Sequence, residues 1–308
     1  MGEPGFGGFP KSTTVAPMCR LFGMTGGRGR VRATFWLLEA PDSLAEQSRR
    51  EPDGTGLGYF DEHDRPVVVK QPLAAYEDQQ FAQEAREVSS RTFVAHVRYA
   101  SNGGLTTENT HPFEQAGRLF AHNGVIGDVP ALERELGDAM STVHGETDSE
   151  RYFALITREI ERAGDVGEGI VSAARWIAEH LPVFALNCVL ITDSEVWALR
   201  YPDVHELHVL ERVAGGPRGN RHLEHASARG SVRVRSGDLA TRPAVIVASE
   251  PMDEDAGWRA LGSGELLHVD RELHATVTRP LERPPEHQLT LADLDQKAAA
   301  SQAAAQQL

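Results

Sequence analysis

Apolar and polar positions alternate along residues 92–100 (Thr-Phe-Val-Ala-His-Val-Arg-Tyr-Ala), a period of two that predicts a strand. A loop follows at Ser101-Asn102-Gly103-Gly104. Similar β-rich runs predict strands at 19–24, 57–61, 66–71 and 118–122. Helical periodicity marks 35–50, interrupted at Pro41, and 78–88. It returns from Thr147-Asp148, where either residue can cap, to Arg162, and again over 167–181. Beyond that the chain reads as strands at about 183–192, 195–201, 206–212, 231–235, 243–249, 265–270 and 273–278. Turn residues separate them, which predicts antiparallel sheets. Residues 1–18 are rich in Gly and Pro and carry no periodicity, so they are expected to be a leader or propeptide absent from the active chain. Residues 19–280 are expected to form one domain, and 281–308 a Pro-rich linker ending in a weak Ala/Gln helix.

Composition narrows the function classes. Hydrophobic residues are 40% and charged residues 25% of the 308, ordinary for a globular chain. The formal charge of −14 repels a phosphate backbone and argues against nucleic-acid binding. No apolar run approaches the roughly 20 residues of a membrane span, and the first residues lack a signal-peptide core. A cytoplasmic protein without a membrane partner is expected. Two cysteines, Cys19 and Cys188, exclude a disulfide framework and a multi-thiolate zinc site. The His pair 205/208 would face opposite sides of a strand, and 222/225, if helical, lacks a third ligand, so no metal is expected, and no cofactor. Residues 211–235 form a locally basic stretch, read as a solvated loop. Cys188 lies in an apolar run and reads as core.

Four short stretches carry candidate chemistry. Cys19 follows Met18. Cleavage there would put a thiol and a free α-amine on one residue, and an α-amine with a pKa near 8 can act as a base at pH 7. A buried structural cysteine is the alternative. Arg98 is in phase with His96 near the end of an apolar strand, where a guanidinium needs a carboxylate from substrate or protein. His122-Asn123-Gly124 offers an amide and a closely approachable backbone N–H for an oxyanion, or a plain Asn-Gly turn. Asp148, in Gly145-Glu146-Thr147-Asp148-Ser149-Glu150, either binds a substrate ammonium or caps a helix.

In order along the chain, Met-Cys-Arg-Leu-Phe-Gly, His-Val-Arg-Tyr-Ala-Ser, Glu-Asn-Thr-His-Pro-Phe (108–113), Ala-His-Asn-Gly and Gly-Glu-Thr-Asp-Ser-Glu resemble the class II glutamine amidotransferases of the N-terminal nucleophile hydrolase superfamily. The resemblance covers about 19–280. Through Ala248-Ser249-Glu250-Pro251-Met252 and Trp258 it extends to the stand-alone branch, which includes ergothioneine-pathway γ-glutamyl hydrolases and glutathione-degrading amidotransferase-like proteins. It implies an α+β fold, the four-layer αββα sandwich with two antiparallel sheets. It implies Cys19 as nucleophile with its α-amine as base, and Asn123 and Gly124 as the oxyanion hole. Arg98 and Asp148 would hold the α-carboxylate and α-ammonium of a γ-glutamyl group, with Ser101 lining and His111 shaping the pocket. The expected activity is cleavage of the γ-glutamyl amide of glutamine or a γ-glutamyl metabolite through a thioester. A small-molecule substrate and a protein acceptor or synthase are the expected partners. A non-catalytic γ-glutamyl sensor or scaffold, and an N-terminal nucleophile amidase for another acyl group, are the alternatives.

Overall fold

A computed structural model describes residues 19–49, 53–99, 104–214, 224–226, 233–235 and 242–302. The leader, Ser101 and His222 lie outside the described residues. The first sheet has seven strands: β1 (Arg20–Thr25), β2 (Gly54–Phe60), β3 (Pro66–Gln71), β4 (Thr92–Arg98), and three more that arrive late in the chain. The second begins with β5 (Phe113–Gln115) and β6 (Arg118–Ile126), followed by β7 (Pro182–Ile191) and β8 (Val196–Arg200). β9 (His208–Arg212) returns to the first sheet, and β10 (Glu224–Ala226) pairs antiparallel with β11 (Arg233–Arg235) as a separate two-stranded sheet. β12 (Ala244–Ala248) and β13 (Arg259–Ala260) complete the first sheet, in the order β13-β9-β12-β1-β4-β2-β3. β14 (Glu265–Val269) and β15 (Ala275–Thr278) complete the second, in the order β15-β14-β8-β7-β6-β5, and β16 (His287–Gln288) adds to β7. The ladders within both sheets are antiparallel, apart from β16, which runs parallel to β7.

Strand alternation sorts the side chains into layers. Leu21, Val94, Leu119, Ala121 and Val189 meet between the sheets. Phe22, Phe93, Ala95 and Val97 face outward beneath a single π-type turn (Phe35–Glu39), α1 (Leu44–Gln47) and α2 (Gln79–Glu87). On the other side, Phe120, Leu186 and Leu190 lie under α3 (Val129–Leu136), α4 (Asp148–Ala163) and α5 (Val166–His180). This is the expected α+β arrangement, with two antiparallel sheets between helical layers.

Three local differences bear on the site. The helix expected over 35–50 is broken at Pro41 into the π-type turn and α1. The strand expected to stop at residue 122 runs to Ile126, because β7 continues the ladder opposite Asn123 and Gly124. The Asn-Gly pair is therefore mid-strand and not a hairpin turn. Gly124 fits there because a Cβ would lie 1.8 Å from the Ala185 carbonyl oxygen. The segment from 281 onward is packed on the sandwich: Gln288 donates to the carbonyls of Val183 and Phe184, and a last helix, α6 (Gln296–Gln302), follows.

Candidate active site

Cys19 immediately precedes β1, in phase with Leu21, and so faces the space between the sheets. Its carbonyl oxygen accepts from Asn123 Nδ2 at 2.9 Å. Its Sγ receives the Tyr99 N–H at 3.2 Å and lies 3.3 Å from the Tyr99 carbonyl. The strand that carries it is fixed by the stretch Ser249-Glu250. Ser249 Oγ accepts from Leu21 N at 2.9 Å, and Glu250 pairs with the buried Arg20 at 2.8 Å. Trp258 packs edge-on against Trp36 in the outer layer, 6.0 Å between rings.

The same alternation aims the remaining candidates. Val94 points between the sheets, so His96 and Arg98 do too, and Asn123 follows Leu119 and Ala121. Asp148 is the first residue of α4. Thr147 caps that helix by accepting from Glu150 N, which leaves the Asp148 carboxylate to reach back to Ile126 N at 2.8 Å. Cys19, Arg98, Asn123, Gly124, His111 and Asp148 all line one small cavity. Burial lowers the pKa of Arg98, opposed by electrostatic interaction with Cys19, Asp53 and Asp148, and a guanidinium remains charged throughout.

A second tier holds these groups in place. His122 also lines the cavity. Its Nε2 faces the Ala185 carbonyl at 3.1 Å and its Nδ1 the Ser149 hydroxyl at 2.9 Å. A carbonyl can only accept, so Nε2 carries the proton and Nδ1 accepts from Ser149. The ring thus ties β6 and β7 to the start of α4. Asn109 performs a similar task for the 104–112 loop: its amide donates to the Gly104 carbonyl and to Glu146, and its oxygen accepts from Glu146 N at 2.7 Å. His111 stacks at 4.2 Å on His96, which the sequence left without a role. Gly56 lets that loop approach, since a Cβ there would sit 2.0 Å from the His111 carbonyl oxygen. Gln302, also without a signal in the sequence, lines the cavity from α6.

His96 and His111 are fully sheltered. Burial, with Arg98 and His122 alongside, pushes His96 down to about 3. Burial, His96, His122, Arg98 and Lys70 push His111 well below the ordinary imidazole value. An unfolded histidine takes a proton near pH 6.5. Below that pH the unfolded chain therefore binds protons that the fold refuses, so this stabilisation is complete above about 6.5 and lost as pH falls. Each such ring is expected to cost about 1–2 kcal/mol between pH 7 and 5. Urea unfolding at both pH values should show His111→Phe losing less stability on acidification than the parent, by that amount. An equal loss would mean that His111 is protonated in the fold.

Among the described residues no three His, Cys, Asp or Glu converge to hold a metal, and no helix is long and apolar enough to cross a membrane. His205 and His208 do not act as a pair: His205 meets Gln302, and His208 faces Glu206.

A sequence profile of the class II glutamine amidotransferases matches residues 18–291. The chain belongs to that family. Among curated relatives of this amidotransferase-family chain, a probable glutamine amidotransferase of Saccharomyces cerevisiae is 26% identical, with 87% of each chain covered. The γ-glutamyl-hercynylcysteine sulfoxide hydrolase of Mycolicibacterium smegmatis is 28% identical, over 79% of this chain and 92% of that protein. Among solved structures, the glutamine phosphoribosylpyrophosphate amidotransferase of B. subtilis superposes with a TM-score of 0.58 at 20% identity, covering 86% of this chain and 50% of that one. A glutamine aminotransferase class-II domain protein of Silicibacter pomeroyi gives 0.55 at 19% identity, over 85% of this chain and 99% of that one. The fold of this amidotransferase-family member is accordingly the N-terminal nucleophile hydrolase sandwich.

Proposed function

We propose that the chain hydrolyses the γ-glutamyl amide of glutamine or of a γ-glutamyl metabolite, with Cys19 as nucleophile and its own α-amine, freed by loss of residues 1–18, as base. The observation that carries this reading is the convergence of a thiol, an amide donor, a guanidinium and a carboxylate from β1, β6, β4 and α4 on one cavity. The relative named as a γ-glutamyl-hercynylcysteine sulfoxide hydrolase supports hydrolysis as the outcome. The domain that does this is residues 19–280, with 281–308 as its C-terminal extension.

In this mechanism the α-amine takes the Sγ proton and the thiolate attacks the γ-carbonyl carbon. The Asn123 Nδ2 group has two N–H donors. One is held by the Cys19 carbonyl, and the second, with the Gly124 N–H, receives the oxyanion. The C–N bond breaks as the α-ammonium returns its proton to the departing amine, leaving a glutamyl thioester. Water then attacks the thioester, the α-amine takes its proton, and glutamate and the thiol are released. Arg98 binds the α-carboxylate and Asp148 the α-ammonium, while Ser101 and His111 shape the pocket. A protein acceptor or synthase partner would take the ammonia where glutamine is the substrate.

The mature chain is expected to begin at Cys19. Intact mass of the protein purified from its own host, paired with a glutamate-release assay, checks it. Active protein that retains residues upstream of Cys19 rules out the α-amine as base. A chain that starts at Met1 and binds but never cleaves γ-glutamyl compounds is the sensor or scaffold instead.

A further inference from the structure

The catalytic cavity is small as it stands, about 20 Å³, room for roughly one water molecule. One wall comes from outside the machinery described above. Gln302 is 1% exposed and sits in the last described turn of α6, a helix seated by buried Ala298 and Ser301. Its Oε1 lies 2.8 Å from His205 Nε2, and its Nε2 donates to Ser301 Oγ at 3.2 Å. An amide oxygen can only accept, so His205 donates from Nε2. Burial pulls His205 down to about 4, so the ring is neutral at physiological pH and the pair carries no charge.

On its other side, Gln302 lines a second, open cavity of about 640 Å³. His205 lines it as well, with Phe184, Val204, Ser263 and Leu289. Asp203, Arg279, Glu282 and Arg283 add charges of both signs. Among the described residues, Gln302 is thus the one shared by the linings of the cavity that holds Cys19 and of an amphiphilic pocket large enough for a small organic molecule.

We propose that the outer pocket receives the leaving amine of the substrate, and that Gln302, held by His205, is the specificity-determining partition in front of it. This rests on the γ-glutamyl reading above and names its substrate class: a γ-glutamyl amino acid or short peptide in preference to glutamine. On that reading the glutamyl head binds between Arg98 and Asp148, and the catalytic cavity must open beyond its present volume to admit it. The amine bonded to the γ-carbonyl must extend elsewhere, and the Gln302 wall leads to space of the right size. Ammonia needs no such pocket. An amino acid or dipeptide amine does, with apolar contacts from Phe184 and Leu289 and charged groups near its own carboxylate and side chains. The chemistry is unchanged: the C–N bond to this amine breaks and the amine leaves with the proton from the Cys19 α-ammonium.

Two measurements test the proposal independently. The first is the rate of Cys19 alkylation by N-phenylmaleimide, located by peptide mapping, which does not depend on turnover. Gln302→Ala should raise that rate at least tenfold, whereas Gln302→Met, which refills the space, should stay within about threefold of the parent. The second is the ratio of kcat/KM for γ-glutamyl-4-nitroanilide to that for glutamine. Gln302→Ala should raise it tenfold or more, and Ser263→Trp, which fills the outer pocket from a residue remote from Cys19, should lower it tenfold or more. An unchanged alkylation rate in Gln302→Ala, or an unchanged ratio in Ser263→Trp, overturns the outer pocket. A parent protein that cleaves neither compound overturns the amidase reading instead, and the alkylation rates then decide alone whether Gln302 closes the passage.

Discussion

Replacing Cys19 by alanine is expected to reduce γ-glutamyl hydrolysis to the uncatalysed background, a loss of about 10⁴-fold or more, while the affinity for substrate stays within about threefold. In the proposed mechanism the thiol is the atom that bonds to the carbonyl, so the loss should be large, with no other cysteine able to stand in. Cys188, the second cysteine, is buried in the helix-facing core beside Tyr152, and burial raises its pKa to about 12. Such a thiol supplies almost no thiolate at pH 7. Affinity should survive because the proposal assigns the grip on the substrate's head to Arg98 and Asp148, whose positions are set by β4 and α4 and not by the thiol. Progress curves for glutamate release and equilibrium binding of a slowly cleaved analogue separate the two effects. A Cys19→Ala protein that retains measurable turnover removes this cysteine from the reaction, and Cys188→Ala serves as the comparison that should keep it.

The sequence was most legible where local pattern and tertiary demand agree. The alternation over 92–100 is the strand β4, and the Thr147-Asp148 start of α4 is capped as its composition suggests. The arrangement of Cys19, Arg98 and Asn123 around one cavity follows from strand phase once the two sheets are stacked, and the start of α4 adds Asp148, yet no single stretch encodes it. Where local signal and partner disagree, the partner prevails. Asn123-Gly124 is a strong turn dipeptide, but the unbroken ladder to β7 keeps it extended. Helix α3 is absent from the sequence-based expectations although Asp128, which caps it, and Pro130 in its first turn are ordinary start signals; Asp128 accepts from Ala131 N. Gln302 carried no local signal at all. An Ala/Gln run has weak amphipathic character, and only its contact with His205 and the packing of Ala298 and Ser301 give that glutamine a defined place.

Changing Arg98 or Asp148 is expected to weaken kcat/KM for glutamyl substrates by about ten- to more than a hundredfold, the equivalent of one buried charge-assisted contact of about 1.5–3 kcal/mol. The two residues stand on opposite sides of the proposed head group with opposite charges. One Asp148 oxygen is taken by Ile126 N, which leaves the other for the ammonium in the proposed binding mode. Asp148→Asn is the informative variant: its amide oxygen still accepts from Ile126 N, preserving the start of α4, while its NH₂ now faces the substrate ammonium without a charge to offer. Arg98 also donates to the Gly104 carbonyl at 3.2 Å, so Arg98→Ala loosens that loop, and Arg98→Lys, which keeps the charge but not the planar fork, distinguishes loop damage from lost carboxylate recognition. The pattern across substrates decides more than any single rate. Against glutaramate, which lacks the α-amine, the parent protein should prefer glutamine by at least tenfold, and Asp148→Asn should lose that preference. Against 4-aminobutyramide, which lacks the α-carboxylate, Arg98→Ala and Arg98→Lys should lose it while Asp148→Asn retains it. A parent protein that cleaves all three amides equally well does not recognise an amino-acid head, and Arg98 and Asp148 would then be a structural pair that keeps a strand end and a helix start together.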